Sequence, residues 1–198
     1  MDEDVQRRDF TINALYYDPI KEQIIDYVDG VKDIKRKLIK PVIPLNIIFE
    51  EDPVRMLRAI KYSATTGFKI PLKLHNKIRK SAHLLSPISP SRLTEELLKI
   101  INSGNSYKIV KNALKTDLYI YLQPSATALM YSNKEYEKKY LEKLKELDEL
   151  HSIQPNVRLG EKLVFLIQDF ISNLTDWDEE IKTNNNSGEL YSKTWKQC

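Results

Sequence analysis

From Asp52 to Gly67 the chain marks both ends of a helix, and that segment constrains the fold the rest must join. Asp52 precedes Pro53, the pairing expected of an N-cap followed by a first helical position, where proline's missing N–H costs nothing. Gly67 stands where a helix of about four turns needs a residue that tolerates a left-handed backbone. Leu, Ile, Lys and Glu recur at helical spacing beyond it, and only 5 glycines and 9 prolines interrupt 198 residues. The chain is therefore expected to be mainly α. Further helices are predicted over Leu72 to Leu85, Pro90 to Asn102, Tyr107 to Leu114, Asn133 to Leu150 and Arg158 to Leu174, each flanked by Pro, Ser, Asn or Gly.

Strand signal is confined to the beginning. Ala14-Leu15-Tyr16-Tyr17 and Gln23-Ile24-Ile25-Asp26-Tyr27 flank Asp18-Pro19 and predict a short hairpin. Val31, Ile34 and Leu38 follow at helical spacing with Asp29 placed to cap, until Pro41 and Pro44 force an extended link. Thr183-Asn184-Asn185-Asn186-Ser187-Gly188 is polar and turn-rich, which predicts a flexible tail over 183–198.

Bulk properties exclude more than they assign. Apolar residues make up 41%, enough for a core. With 31 basic against 28 acidic residues, affinity for nucleic acid must come from local clusters. The single cysteine, Cys198, excludes an internal disulfide and a thiolate metal site, and no apolar run reaches the ~20 residues of a membrane span. His75, His83 and His151 are scattered without metal-ligand spacing. These features suit a soluble cytoplasmic protein.

Two charged blocks carry the chemistry. In Arg7-Arg8-Asp9-Phe10-Thr11-Ile12-Asn13-Ala14-Leu15, adjacent guanidiniums can bind phosphate oxygens in pairs, and Asp9 can accept from ribose hydroxyls or hold an arginine in place. The same residues also suit a solvated surface, with Asn13 in a turn. In Glu51-Asp52-Pro53-Val54-Arg55-Met56-Leu57-Arg58, a helix begun at Asp52 would bring Asp52, Arg55 and Arg58 toward one stripe. A carboxylate accepting from an exocyclic amine beside a guanidinium donating to a ring nitrogen fits adenine and cytosine alike. Guanine and uracil present the opposite polarity, at roughly 1–3 kcal/mol for each mismatched group. The alternative is plain N-capping by Asp52, with Glu51 and Arg55 as an ordinary ion pair.

These blocks, with Tyr27-Val28-Asp29-Gly30-Val31-Lys32-Asp33-Ile34 between them and Ser89-Pro90-Ser91-Arg92-Leu93-Thr94-Glu95-Glu96-Leu97-Leu98-Lys99 after them, resemble motifs of the bacterial poly(A) polymerase and tRNA CCA-adding enzyme family, the class II RNA nucleotidyltransferases. The resemblance implies a hairpin remnant of a nucleotidyltransferase head followed by an all-helical neck and body. It divides the chain into 1–40, the end of the head with hairpin and hinge; 41–124, a neck binding nucleotide and RNA; 125–182, a helical body; and the tail. It assigns Arg7, Arg8, Asp9 and Asn13 to the phosphates and ribose of the incoming nucleotide. Asp52 and Arg55 fall to its base, and Glu51, Arg58 and Arg92 to support. The continuation through Ser103-Gly104-Asn105-Ser106-Tyr107 and Leu118 to Pro124 looks more like the poly(A) branch, implying transfer of AMP from ATP to RNA 3′ ends, with CCA addition as the alternative.

In that family Mg2+ is held by a carboxylate pair upstream of the first block, in a head part of which precedes residue 1. Asp2-Glu3-Asp4 and Asp176-Trp177-Asp178 have the spacing of such a pair but no preceding strand and glycine-rich turn, so both are read as surface residues. No catalytic or metal-binding residue is assigned, and the chain alone is expected to be inactive unless a head, such as a separately encoded one, completes it. The expected partners are ATP and the 3′ end of an mRNA or tRNA. Lys32, Lys35, Arg36, Lys37 and Lys40, and Lys108, Lys111 and Lys115 beside Tyr107, are candidate RNA-backbone contacts or solvated helix faces. A non-catalytic nucleotide- or RNA-binding subunit and an inactive remnant are the rival readings.

Overall fold

The computed structural model describes residues 2–164 and residue 167. The predicted helix from Arg158 is seen as helix at 159–164; its remainder, the Asp176-Trp177-Asp178 run and the predicted tail lie outside the described residues. A small mixed region comes first: helix α1 (Asp2–Gln6), a 3-10 turn at Thr11–Asn13, strands β1 (Leu15–Asp18) and β2 (Gln23–Asp26), and helix α2 (Gly30–Lys35). The two strands pair antiparallel with Tyr16 opposite Ile25, and the Asp18 carboxylate turns the chain by accepting from the backbone N–H groups of Ile20 and Lys21 at 2.9 and 3.2 Å.

The cap of α2 differs from the sequence expectation. Asp29 sits at φ 61 with no side-chain cap bond. Asp26, at the end of β2, instead accepts from Val28 N, Gly30 N and Val31 N at 3.1, 2.9 and 2.9 Å. Asp29's left-handed backbone lets the chain fold back over Asp26, so the carboxylate that satisfies the helix start is three residues earlier than the usual capping position. Gly30 is fixed by contact: a Cβ there would meet the Thr11 carbonyl oxygen at 2.3 Å.

The rest is helical: α3 (Ile48–Glu51), α4 (Arg55–Thr66), α5 (Leu72–Ser81) continued by a 3-10 turn at Ala82–Leu85, α6 (Pro90–Ile101), α7 (Ser106–Lys115), α8 (Tyr119–Leu122), α9 (Pro124–Ser132) and α10 (Lys134–Ile153). Gly67 ends α4 at φ 73, as expected of a left-handed stop. The α-helix begins at Arg55, because residues 53 and 54 form a tighter turn in which Arg55 N bonds to Asp52 O at 3.1 Å. The short helices α1, α3 and α8 and the helix α9 lie where no helix was expected; the first three are at most 5 residues long, too short for a periodic signal.

One apolar core runs from Phe10 to Leu147. Its centre is α4 (Met56, Leu57, Ile60), with α7 (Ile109, Val110, Ala113) against it and α10 (Tyr136, Tyr140, Leu144, Leu147) behind α7. Tyr119 and Tyr140 bury their hydroxyls against each other at 2.6 Å, the polar tips being satisfied as burial requires. The Asp148 carboxylate of α10 accepts from Ser106 N, Ser106 Oγ and Tyr107 N at 2.7, 2.7 and 3.0 Å, capping α7 from a different helix. No helix among the described residues is long and apolar enough to cross a membrane.

Two outcomes test this description. Gly30→Ala is expected to destabilise by roughly 1–3 kcal/mol in urea unfolding, because its methyl collides with backbone. Burial raises the Asp26 carboxyl, but its N–H donors, Val31 first, outweigh that and hold it below the usual carboxylate range. A depressed folded value gives stability that is present above the unfolded pKa of about 3.9 and disappears as pH falls through the lower folded one. The stability gap between the protein and Asp26→Asn should accordingly narrow on acidification below about pH 4.

Candidate nucleotide-binding site

The two charged blocks meet through Asp9. Its backbone is held where the chain passes Val42, whose N–H bonds to the Asp9 carbonyl at 3.3 Å, while Phe10 enters the core and packs edge-on to Tyr62 of α4 at 5.9 Å. Thus anchored, the Asp9 carboxylate turns toward α4 and takes Arg55 Nε at 3.0 Å on one oxygen and Arg58 Nη1 at 2.9 Å on the other. The partners are 46 and 49 residues away in sequence, and the Asp9 and Arg55 side chains are only 11% and 10% exposed.

Arg55 is fixed from three sides. Besides Asp9, its Nη1 donates to Ile48 O at 3.2 Å and to Glu51 Oε2 at 2.8 Å, leaving Nη2 without a partner among the described residues. The Glu51–Arg55 ion pair expected at helical spacing therefore exists, although its arginine is buried. Arg58 also approaches Asp52 Oδ2 at 3.8 Å. Burial disfavours the Arg58 guanidinium, yet Asp9 and Asp52 overcome that and raise its pKa above the ordinary arginine value.

Asp52 combines capping and pairing. Its Oδ1 accepts from Val54 N at 3.2 Å, while Arg92 Nη2 from α6 reaches both oxygens at 2.8 and 2.9 Å. No bond joins the Asp52 and Arg55 side chains among the described residues. The expectation that Asp52, Arg55 and Arg58 share one helical stripe is corrected: Asp52 lies before α4 in extended backbone, at φ −147, so its side chain is not held in the helix register.

Glu96, one turn beyond Arg92 on α6, is buried and lies 3.9 Å from Lys61 Nζ and 2.7 Å from Lys99 Nζ. Burial lowers the Lys61 pKa despite Glu96. Glu96 was not among the expected site residues. Its signal lay in the Arg-Leu-x-x-Glu spacing, which puts Arg92 and Glu96 on one helix face.

Other expected site residues are placed differently. Arg8 is 45% exposed, paired with Asp4 at 2.8 Å, and its guanidinium carbon lies 5.8 Å from the centre of the Tyr16 ring. Tyr16 also donates to Asp4, and these two bonds hold that carboxyl below its ordinary value. Arg7 is exposed with no side-chain partner among the described residues. Asn13 Oδ1 accepts from Phe10 N at 3.2 Å and closes a 3-10 turn, the local role that its sequence context also allows. Lys35 and Arg36 are exposed at the end of α2, and Lys108 and Lys111 are exposed on α7. No group of three or more His, Cys, Asp or Glu residues among those described could hold a metal ion.

Known proteins share this arrangement of sequence. Residues 1–40 match the family model described as poly A polymerase head domain, and residues 67–130 the one described as probable RNA and SrmB-binding site of polymerase A. Poly(A) polymerase I of Escherichia coli O6:H1 is 40% identical over 133 residues, covering 67% of this chain and 29% of its own length. The CCA-adding enzyme of Ligilactobacillus salivarius is 40% identical over 121 residues, 61% of this chain and 30% of that enzyme. The chain thus spans less than a third of these relatives. A crystal structure of the Bacillus stearothermophilus CCA-adding enzyme in complex with CTP superposes with a TM-score of 0.56 at 34% identity over 61% of this chain and 30% of that one. A tRNA nucleotidyltransferase complexed with a primer tRNA and an incoming ATP analogue shares the fold over 96% of this chain and 64% of its own, with a TM-score of 0.67 at 23% identity. With head and RNA-binding matches on either side of the Glu-Asp-x-x-Arg block, this chain belongs to the class II RNA nucleotidyltransferase family of poly(A) polymerases and CCA-adding enzymes.

Proposed function

We propose that the described residues form the nucleotide-reading part of an RNA 3′-end nucleotidyltransferase of the poly(A) polymerase type, which adds AMP from ATP to RNA in the cytoplasm. The observation that carries this reading is the Asp9 carboxylate joining the two blocks. It fixes Arg55 and leaves that residue's Nη2 without a partner among the described residues, close in sequence to the Asp52 carboxylate. Asp52 accepts from the exocyclic amine of the base, Arg55 Nη2 donates to the adjacent ring nitrogen, and Arg92 yields or shares Asp52 as the base enters. Its 44% exposure permits that movement. Arg7 and Arg8, both exposed, supply the phosphate contacts, and Asn13 keeps the first block in shape.

Metal ions held by other carboxylates would neutralise the charge on the transferring phosphoryl group. The described residues bind and orient the nucleotide, and without such carboxylates they make no product from ATP and an RNA primer. The poly(A) reading is favoured over CCA addition by the longer aligned stretch in the polymerase, 133 residues against 121. Asp52 and Arg55 themselves accept adenine and cytosine equally.

Calorimetric titration should show ATP and CTP binding at least about tenfold more tightly than GTP and UTP, a difference of ~1.4 kcal/mol. Equal affinity for all four, or none, overturns the reading. Asp52→Ala should bring the ATP-to-GTP ratio toward unity while costing about 1 kcal/mol of stability through the lost cap. A ratio that survives this change makes Asp52 a cap alone.

Asp9→Ala leaves the nearly buried Arg55 without its aspartate and should cost about 3 kcal/mol in urea unfolding. Arg8→Ala removes a surface pair and should cost less than about 1 kcal/mol. Similar losses from the two would refute the anchoring role of Asp9.

A further inference from the structure

Lys162 is 1% exposed, and no carboxylate pairs with it among the described residues. A buried ammonium has three donors and no acceptor, so it must find atoms with free lone pairs. Lys162 Nζ donates to Asn102 Oδ1, at the end of α6, at 2.9 Å and meets His151 Nδ1, in the last turn of α10, at 3.2 Å. The ring is set from its other side. Gly104, at φ 64 in the turn between α6 and α7, lies so close that a Cβ there would be 2.7 Å from His151 Cδ2. With that edge against the glycine, Nδ1 faces the lysine. The neighbouring ionisable groups are engaged elsewhere or stand in water: Asp148, one turn before His151, is taken up by the Ser106 and Tyr107 donors, and Lys99, one turn before Asn102, pairs with Glu96. Glu149, Arg158 and Glu161 are exposed, and the turn 103–105 has no ionisable side chain.

We propose that Lys162, His151 and Asn102 form a pH-released latch that docks the helix at 159–164 against the ends of α6 and α10. The Lys162–His151 pair keeps its hydrogen bond while it carries a single positive charge, with the ring proton on Nε2 and the ammonium donating to Nδ1. Loss of that charge in alkali leaves an amine N–H that still donates, so the latch stays shut. A second proton has the opposite effect. It turns Nδ1 from acceptor into donor and sets two cations 3.2 Å apart where little water screens them. The lysine then leaves its pocket. Apolar contacts hold this helix only slightly among the described residues, since Leu159 and Leu163 are partly buried and Val164 is exposed, so the lysine decides whether it docks. The released state binds one proton more than the docked one, so docking is complete on the alkaline side and weakens as pH falls. Imidazole takes up its proton between about pH 5 and 8, which sets the working range. His151 and Lys162 lie beyond both family matches, 1–40 and 67–130.

The test is hydrogen exchange of the whole chain, read by mass spectrometry at about pH 7.5 and about pH 5.5 and corrected for the intrinsic rate at each. Protection of a peptide spanning 158–164 should fall on acidification by up to about tenfold per pH unit, the limit for uptake of one proton, while peptides from α4 and α7 keep theirs. His151→Gln offers an amide oxygen in place of Nδ1 and does not titrate, so protection of 158–164 should no longer depend on pH. Lys162→Met removes the second cation and should abolish the dependence as well. Protection that stays constant in the unaltered protein overturns the proposal, as does a His151→Gln variant that responds like the unaltered protein. A parallel fall in α4 or α7 also overturns it, because that reports global unfolding. Loss of protection in the unaltered protein on going from about pH 7.5 to about pH 9.5 contradicts a latch that alkali leaves shut. Should Lys162→Met fail to fold, the histidine variant decides alone.

Discussion

The Asp9 carboxylate between Arg55 and Arg58 is the contact on which the arrangement of the site depends. Its two oxygens face two guanidiniums in a place where little water reaches, so each charge requires the other two. That requirement fixes where the first block lies against α4. It also changes the role of the arginines. Arg55 is held by Asp9, Glu51 and the Ile48 carbonyl, and only its remaining nitrogen has no partner among the described residues. A guanidinium fixed in this way loses little freedom when it meets a planar base.

Helix α6 braces the other side. Arg92 and Glu96, one turn apart, join Asp52 and Lys61 across to the α4 segment. The two bridges differ in environment. Glu96 is buried and Lys61 mostly so, whereas Arg92 stands in water, so the first braces the helices and the second can exchange partners.

The sequence announced the mainly helical fold, the hairpin and the end of α4 clearly, because Pro, Gly and hydrophobic period act within a few residues of the structure they specify. It was silent on long-range side-chain choices. Asp29 occupied the customary capping position, yet Asp26 satisfies the helix, since a single left-handed residue redirected the backbone. Asp52 was expected beside Arg55 by helical spacing; the extended backbone at Asp52 turned it toward Arg92, 40 residues onward. Nor did the sequence say that Arg8 and Asn13 would make local bonds, to Asp4 and Phe10. Which arginine Asp9 would select depended on the passage of Val42 past it, which no local pattern encodes.

The cap that Asp148 provides has a mechanical consequence. Because α7 starts on a carboxylate belonging to α10, sliding one helix along the other would strip two backbone donors of their acceptor at the same moment. The pair therefore behaves as a keyed joint, and side chains that project from both helices keep their mutual spacing when the surrounding loops move.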